Sequence, residues 1–168
     1  MVKKYVFGTP IETDAVVKEI KETSWKDDIF QKEGNVFHYL LKTDEIVYGL
    51  GENVRGINKR GWRYVSNCSD NPNHCEHTNS LYGAHNFIMM GDGVNETYGL
   101  FVDTPGTVTF DVGYTDIDWL NIAMENENYK IYLIEGQTYQ DVVREFREMI
   151  GRSYIAPRWA FGYGQSRW

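Results

Sequence analysis

Cysteine is scarce: Cys68 and Cys75 are the two among 168 residues. Two are too few for a disulfide scaffold, and in a reducing compartment both would be free thiols. Long hydrophobic runs are missing as well. The longest are short pieces such as Phe87-Ile-Met-Met90, far below the ~18 residues that cross a bilayer. The beginning does not read as a secretion signal, because Lys3 and Lys4 are followed by Gly8, Pro10 and Glu12 where an apolar stretch should stand. A cytoplasmic protein is therefore expected, and the sequons Asn67-Cys-Ser69 and Asn95-Glu-Thr97 would matter only outside the cell. Positive charge is in deficit, with 17 Lys and Arg against 24 Asp and Glu and a net charge of −7. Such a surface repels phosphate backbones and anionic lipid, so neither nucleic acid nor a membrane is expected as a partner. There is no internal repeat and no low-complexity tract.

What is present is apolar and aromatic: 42% hydrophobic residues, with 12 Tyr, 8 Phe and 5 Trp. Together with the length, this predicts one compact domain, with a short piece of a second. From Asn35 to Ile134, short apolar or alternating runs are broken by Gly, Asn, Asp or Pro, the pattern of antiparallel sheets. In Thr107–Val112, Val108, Phe110 and Val112 project to one face and Thr107, Thr109 and Asp111 to the other. Similar spacing predicts strands at Val36–Leu41, Glu45–Gly49, Arg63–Ser66, Phe87–Met90, Thr97–Val102, Trp119–Ala123 and Tyr129–Ile134, enough for two packed sheets. Tyr139, Val142, Val143, Phe146, Met149 and Ile150 recur with helical period. Thr138 is placed as the N-cap of that helix, with Asp141 three residues on and Gly151 as a left-handed stop. A second helix is expected over Asp14–Glu22 behind Thr13, with Val16, Val17 and Ile20 as its stripe. The last segment, running through Pro157 to Trp159-Ala-Phe-Gly-Tyr163 and ending on Trp168, reads as the first strand of a further α/β unit. The chain is thus expected to be a piece of a longer polypeptide.

Several patterns suggest chemistry, each with a plainer alternative. Gly49-Leu-Gly51 followed by Gly56 is a weak dinucleotide fingerprint, and the glycines read better as a strand end and bulge. Cys68, His74, Cys75 and His77 are soft ligands within ten residues, but their spacing matches no zinc arrangement, so they read as surface residues and no metal is expected. Asp116 with Asp118, and Asp44 with Glu45, read as solvated turn carboxylates rather than an acid–base pair. Asp70 differs. Asn67-Cys-Ser-Asp-Asn-Pro72 puts a carboxylate in a turn-rich loop with Trp62, Tyr64 and Tyr82 near in sequence. Aromatic faces beside one fixed acceptor suit a polyhydroxylated ring, although an Asx-turn aspartate is the default reading of the residues alone.

Four stretches together resemble the α-glucosidases of glycoside hydrolase family 31: Tyr48-Gly-Leu-Gly-Glu52; Asn67–Pro72 followed by Leu81-Tyr-Gly-Ala-His-Asn-Phe87; Gly99-Leu-Phe-Val-Asp103; and Trp159–Trp168. The resemblance covers roughly residues 45–168. It implies a mainly β fold, an antiparallel, galactose-mutarotase-like β-sandwich over residues 1–150 that includes the linking helix 138–150. Residues 151–168 would then open a (β/α)₈ catalytic barrel whose remainder is absent.

The resemblance further implies hydrolysis of terminal α-linked glucose with retention, on α-glucoside or α-gluco-oligosaccharide substrates and without a cofactor. Both catalytic carboxylates would belong to the barrel, and no residue of this chain matches either, so alone it should be inactive. Asp70 would accept hydrogen bonds from sugar hydroxyls and Trp168 would wall the pocket, with Arg167 and Gln165 as supports. His85 stands in a His-Asn-Phe sequence where relatives commonly have His-Pro-Phe, and reads as a hydrogen-bonded histidine at a strand entrance rather than a sugar ligand. The expected partners are the substrate and the missing barrel, and a homo-oligomer is compatible with the pattern. A free-standing carbohydrate-binding module and a purely structural brace are the competing readings.

Overall fold

The computed structural model describes residues 1–165. Its strands are β1 (Val2–Phe7), β2 (Gln31–Glu33), β3 (Val36–Leu40), β4 (Tyr48–Gly49), β5 (Trp62–Ser66), β6 (Phe87–Gly91), β7 (Thr97–Asp103), β8 (Val108–Val112), β9 (Trp119–Met124) and β10 (Tyr129–Gly136), followed by helix α1 (Tyr139–Ile150). They form two antiparallel sheets of five, β1-β10-β7-β6-β4 and β2-β3-β9-β8-β5. The alternation read from Val108, Phe110 and Val112 holds, and all three are fully buried against the opposite sheet. Ile88, Met90, Leu100 and Ile131 meet Phe37, Phe110, Leu120 and Ile122 across the sandwich. Each such side chain contributes about 1.5–3 kcal/mol by burial.

The first sheet is covered on both faces. In β10, Tyr129, Ile131 and Leu133 join the sandwich core, whereas Tyr132 and Ile134 join a second cluster with Val142 and Met149 of α1. Six consecutive buried residues, Tyr129 to Ile134, follow from this double cover. Helix α1 begins with the expected capping box: Thr138 Oγ1 accepts from the Asp141 amide, and the Asp141 carboxylate accepts from the Thr138 amide. Phe146 stacks flat on Phe87, ring centroids 3.8 Å apart. The helix can sit this low because Gly99 has no Cβ, which would lie 2.5 Å from Val142 Cγ1.

Four expectations are corrected. Residues 14–22 form no helix. Val16 and Ile20 do pack beneath α1, but the amides of Val17 and Lys18 bond to the Met149 carbonyl and Thr13 bonds to Asp103. Those distant partners hold the segment open instead of letting it coil on itself. At the end of α1, Gly151 does take a positive φ of 90°, but its ψ of 169° lies away from the left-handed helical stop expected there. Strands β1 and β2 add to the eight expected, and the strand expected at Glu45–Gly49 shrinks to two residues. The described part of the last motif, residues 158–165, forms one 3-10 turn at Arg158–Phe161 and no strand. No neighbouring strand offers it hydrogen bonds, and Trp159, Phe161 and Tyr163 are 82%, 75% and 92% exposed. Among the described residues no helix is long and apolar enough to cross a membrane.

Candidate functional site

Loops 49–61 and 67–86 follow β4 and β5, the last strands in the order of the two sheets. The turn at Gly49, Leu50 and Gly51 takes three positive φ values in succession, 119°, 67° and 70°. A Cβ on Gly49 would stand 2.2 Å from the Phe87 carbonyl and one on Gly51 2.1 Å from the Gly83 carbonyl. These glycines therefore serve close backbone docking rather than a phosphate. Leu50 and Glu52 donate to the carbonyls of Phe87 and Gly83, and the Glu52 carboxylate accepts from the Tyr82 amide. Two stretches far apart in sequence, Tyr48–Glu52 and Leu81–Phe87, are thus laced together.

Asp70 is exposed in the adjoining loop, which has no helix or strand from Asn67 to Asn86. The Asx turn there is made by Asn71, whose Oδ1 accepts from the Asn73 amide at 2.9 Å. Cys68 Sγ accepts from the Ala84 amide and the His74 ring meets Tyr82 edge-on. Tyr82 also reaches the Asn71 carbonyl through its hydroxyl. On its other side the loop lines a shallow polar depression of about 360 Å³ with Asn67, Ser69, Asn71, Asn73 and Cys75. Of the aromatics near Asp70 in sequence, Tyr82 is exposed, Trp62 is half-buried and Tyr64 is buried in the core.

The cysteines and histidines of this loop do not converge, and among the described residues no three potential ligands gather around a cation site. His77 instead lies edge-on to Trp62. Cys75 sits beside the Thr78 hydroxyl, which with the backbone at His77 holds its thiol below the usual range. His85 is exposed two residues before β6, so the strand entrance is as expected, but its ring makes no hydrogen bond among the described residues. Gln165 is exposed and accepts from the Tyr163 hydroxyl at 2.9 Å. Arg167 and Trp168 lie outside the described residues.

Glu45 corrects another expectation. It is not solvated but 4% exposed, accepting from the Tyr39 hydroxyl and the Lys42 amide. Its turn folds inward because those donors would otherwise be unpaired. Asp116 and Asp118 are exposed in the turn before β9. Three cations around the loops were not singled out in the sequence, where they look like ordinary solvated charges. Lys59 is buried and donates to Asn53 Oδ1 and the Gly56 carbonyl; burial, with Arg55 beside it, lowers its pKa. Arg60 donates to the carbonyls of Lys42, Thr43, Glu45 and Ile117. Arg55 binds carbonyls of β5 and the Asp70 loop.

The architecture, a two-sheet antiparallel sandwich with long loops after β4 and β5, defines a β-sandwich domain and leaves its role open. The family follows from the comparisons. The model of the glycosyl hydrolase 31 N-terminal galactose mutarotase-like domain matches residues 8–111, and the chain belongs to that family. It is 32% identical over 129 residues to an alpha-glucosidase of Saccharolobus solfataricus, covering 76% of this chain and 18% of that protein. It is 30% identical over 121 residues to the alpha-xylosidase XylQ of Lactiplantibacillus pentosus, covering 71% of this chain and 15% of that protein. The fold matches that of a Flavobacterium johnsoniae GH31 dextranase solved with isomaltotriose, with TM-score 0.68 and 24% identity, over 83% of this chain and 17% of that one. The chain spans less than a fifth of each of these relatives.

Proposed function

We propose that this domain serves a retaining α-glucosidase, in which a barrel holds the two catalytic carboxylates and the sandwich reaches over the sugar with Asp70. The observation that carries the reading is the position of Asp70: its carboxylate is exposed on the loop bundle while its neighbours Cys68, Asn71 and His74 are engaged within the domain. In a retaining site, nucleophile and general acid stand about 5 to 5.5 Å apart across the glycosidic bond. The part of this chain is binding and orientation. Asp70 accepts from ring hydroxyls, and Trp168 supplies an apolar wall.

A hydrogen bond between a sugar hydroxyl and a charged group contributes about 1.5–3 kcal/mol, so Asp70→Ala in the barrel-bearing polypeptide should lower kcat/KM roughly tenfold or more. Because an α-xylosidase and an α-glucosidase are similarly related to the chain, the assay should use α-glucosides and α-xylosides side by side. Unchanged kinetics on both would remove Asp70 from the site. The 168-residue chain titrated calorimetrically with maltose should be silent, and millimolar or tighter binding would favour a self-sufficient binding module.

A further inference from the structure

Arg55 has an unusual setting for a surface cation in a chain of net charge −7: among the described residues it forms no ion pair with a carboxylate. Its guanidinium lies 4.4 Å from the ring centroid of Trp62 and 4.8 Å from that of Tyr64, two residues that alternate along β5. From there Nε donates to the Glu76 carbonyl at 2.6 Å and a terminal nitrogen donates to the Arg63 carbonyl at 2.5 Å. One planar fork thus joins a sheet strand to the middle of the loop that carries Asp70. His77, next along that loop, closes on Trp62 from its own side. Other ties are the Asn67 amide and the Ser80 hydroxyl, which both donate to the Val65 carbonyl, the Ala84 amide, which donates to Cys68 Sγ, and the Tyr82 hydroxyl, which reaches the Asn71 carbonyl.

Between the ties at Asn71 and Ser80, the hydrogen bond that reaches this stretch from outside the loop, among the described residues, is the one Arg55 makes to the Glu76 carbonyl; without it the stretch beyond Asp70 would be free to open. We propose that Arg55 is the positioning residue of the site, fixing the Asp70 loop against β5 through the Glu76 carbonyl. The inference rests on the reading of Asp70 as a sugar contact. An ammonium could not replace Arg55, since it lacks the flat donor fork that stacks on rings while bonding in two directions.

The test has two arms. A glutamyl endopeptidase cuts after Glu76, the residue whose carbonyl Arg55 holds. In the 168-residue chain, Arg55→Ala and Arg55→Lys should both speed that cut roughly tenfold while cleavage after Glu127, in the β9–β10 turn, is unchanged. In the barrel-bearing polypeptide, Arg55→Ala should lower kcat/KM about tenfold, with the same division between kcat and KM as Asp70→Ala, and should add nothing when Asp70 is already Ala. An unaltered cut after Glu76, full protection restored by Lys, or losses that multiply in the double variant would overturn the proposal. If Asp70→Ala is silent but the cut after Glu76 is faster, the sugar reading of Asp70 fails while Arg55 stands as the loop's anchor.

Discussion

For single residues, burial decides what a carboxylate is for. Asp111 faces outward in the alternation of β8, yet it is 7% exposed, because Arg63 on the neighbouring strand and the turn at Tyr114 and Thr115 close over it. Burial alone would raise its pKa. The Thr115 hydroxyl, the amides of Thr115 and Tyr114, and Arg63 outweigh that and hold it below the usual carboxylate range. A carboxyl depressed in the fold stabilises it above the pKa of the unfolded chain, and the contribution is lost as pH falls through the folded value. Asp111→Asn should therefore be less stable than the parent at about pH 7, and the two should converge toward about pH 2, as read from urea unfolding at each pH. A gap that does not narrow in acid would assign the effect to packing. The alternation of β8 correctly put Asp111 on the outer face, but its closure by Arg63, 48 positions away, was not legible there.

Among the elements, α1 was readable because its instructions are local: a period of 3.6 and a cap at Thr138 with Asp141 three residues on. Thr138→Ala removes the side-chain acceptor for the Asp141 amide and should cost about 1 kcal/mol, measured as a shift in the urea midpoint at constant slope. Residues 14–22 show the opposite case. Val16 and Ile20 are spaced as on a helix and do reach the second apolar cluster, but their backbone is fixed by Met149, and nearby Thr13 and Glu12 by Asp103 and Lys130. A stripe of three residues carries too little weight to outcompete such ties. The candidate site divides similarly. The loop holding Asp70 announced itself by its turn residues, whereas the Arg55 clamp depends on ring faces that only strand β5 aligns.

Taken as a whole molecule, the domain is well covered on its sandwich side and bare along its last described residues. A groove of about 690 Å³ lies between α1, at Tyr139, Val143 and Arg147, and the segment holding Ser153 and Ile155. Along this segment and the residues after it, Tyr154, Ile155, Trp159, Phe161 and Tyr163 are 75–92% exposed. Apolar surface of this extent promotes association, so the 168-residue chain should form concentration-dependent oligomers in sedimentation velocity. Deleting residues 152–168 should abolish them with little change in Tm, because no described residue of that segment belongs to either core. What the sequence determined by itself was whatever depends on near neighbours: strand alternation, the capped helix, the turn-rich loop around Asp70 and the motifs of the family. What only the tertiary structure decided was the fate of groups whose partners lie far along the chain. Glu45 turned inward, residues 14–22 formed no helix and Arg55 became a clamp because hydrogen-bond donors, carbonyls and ring faces from other elements arrive only when the sheets pack.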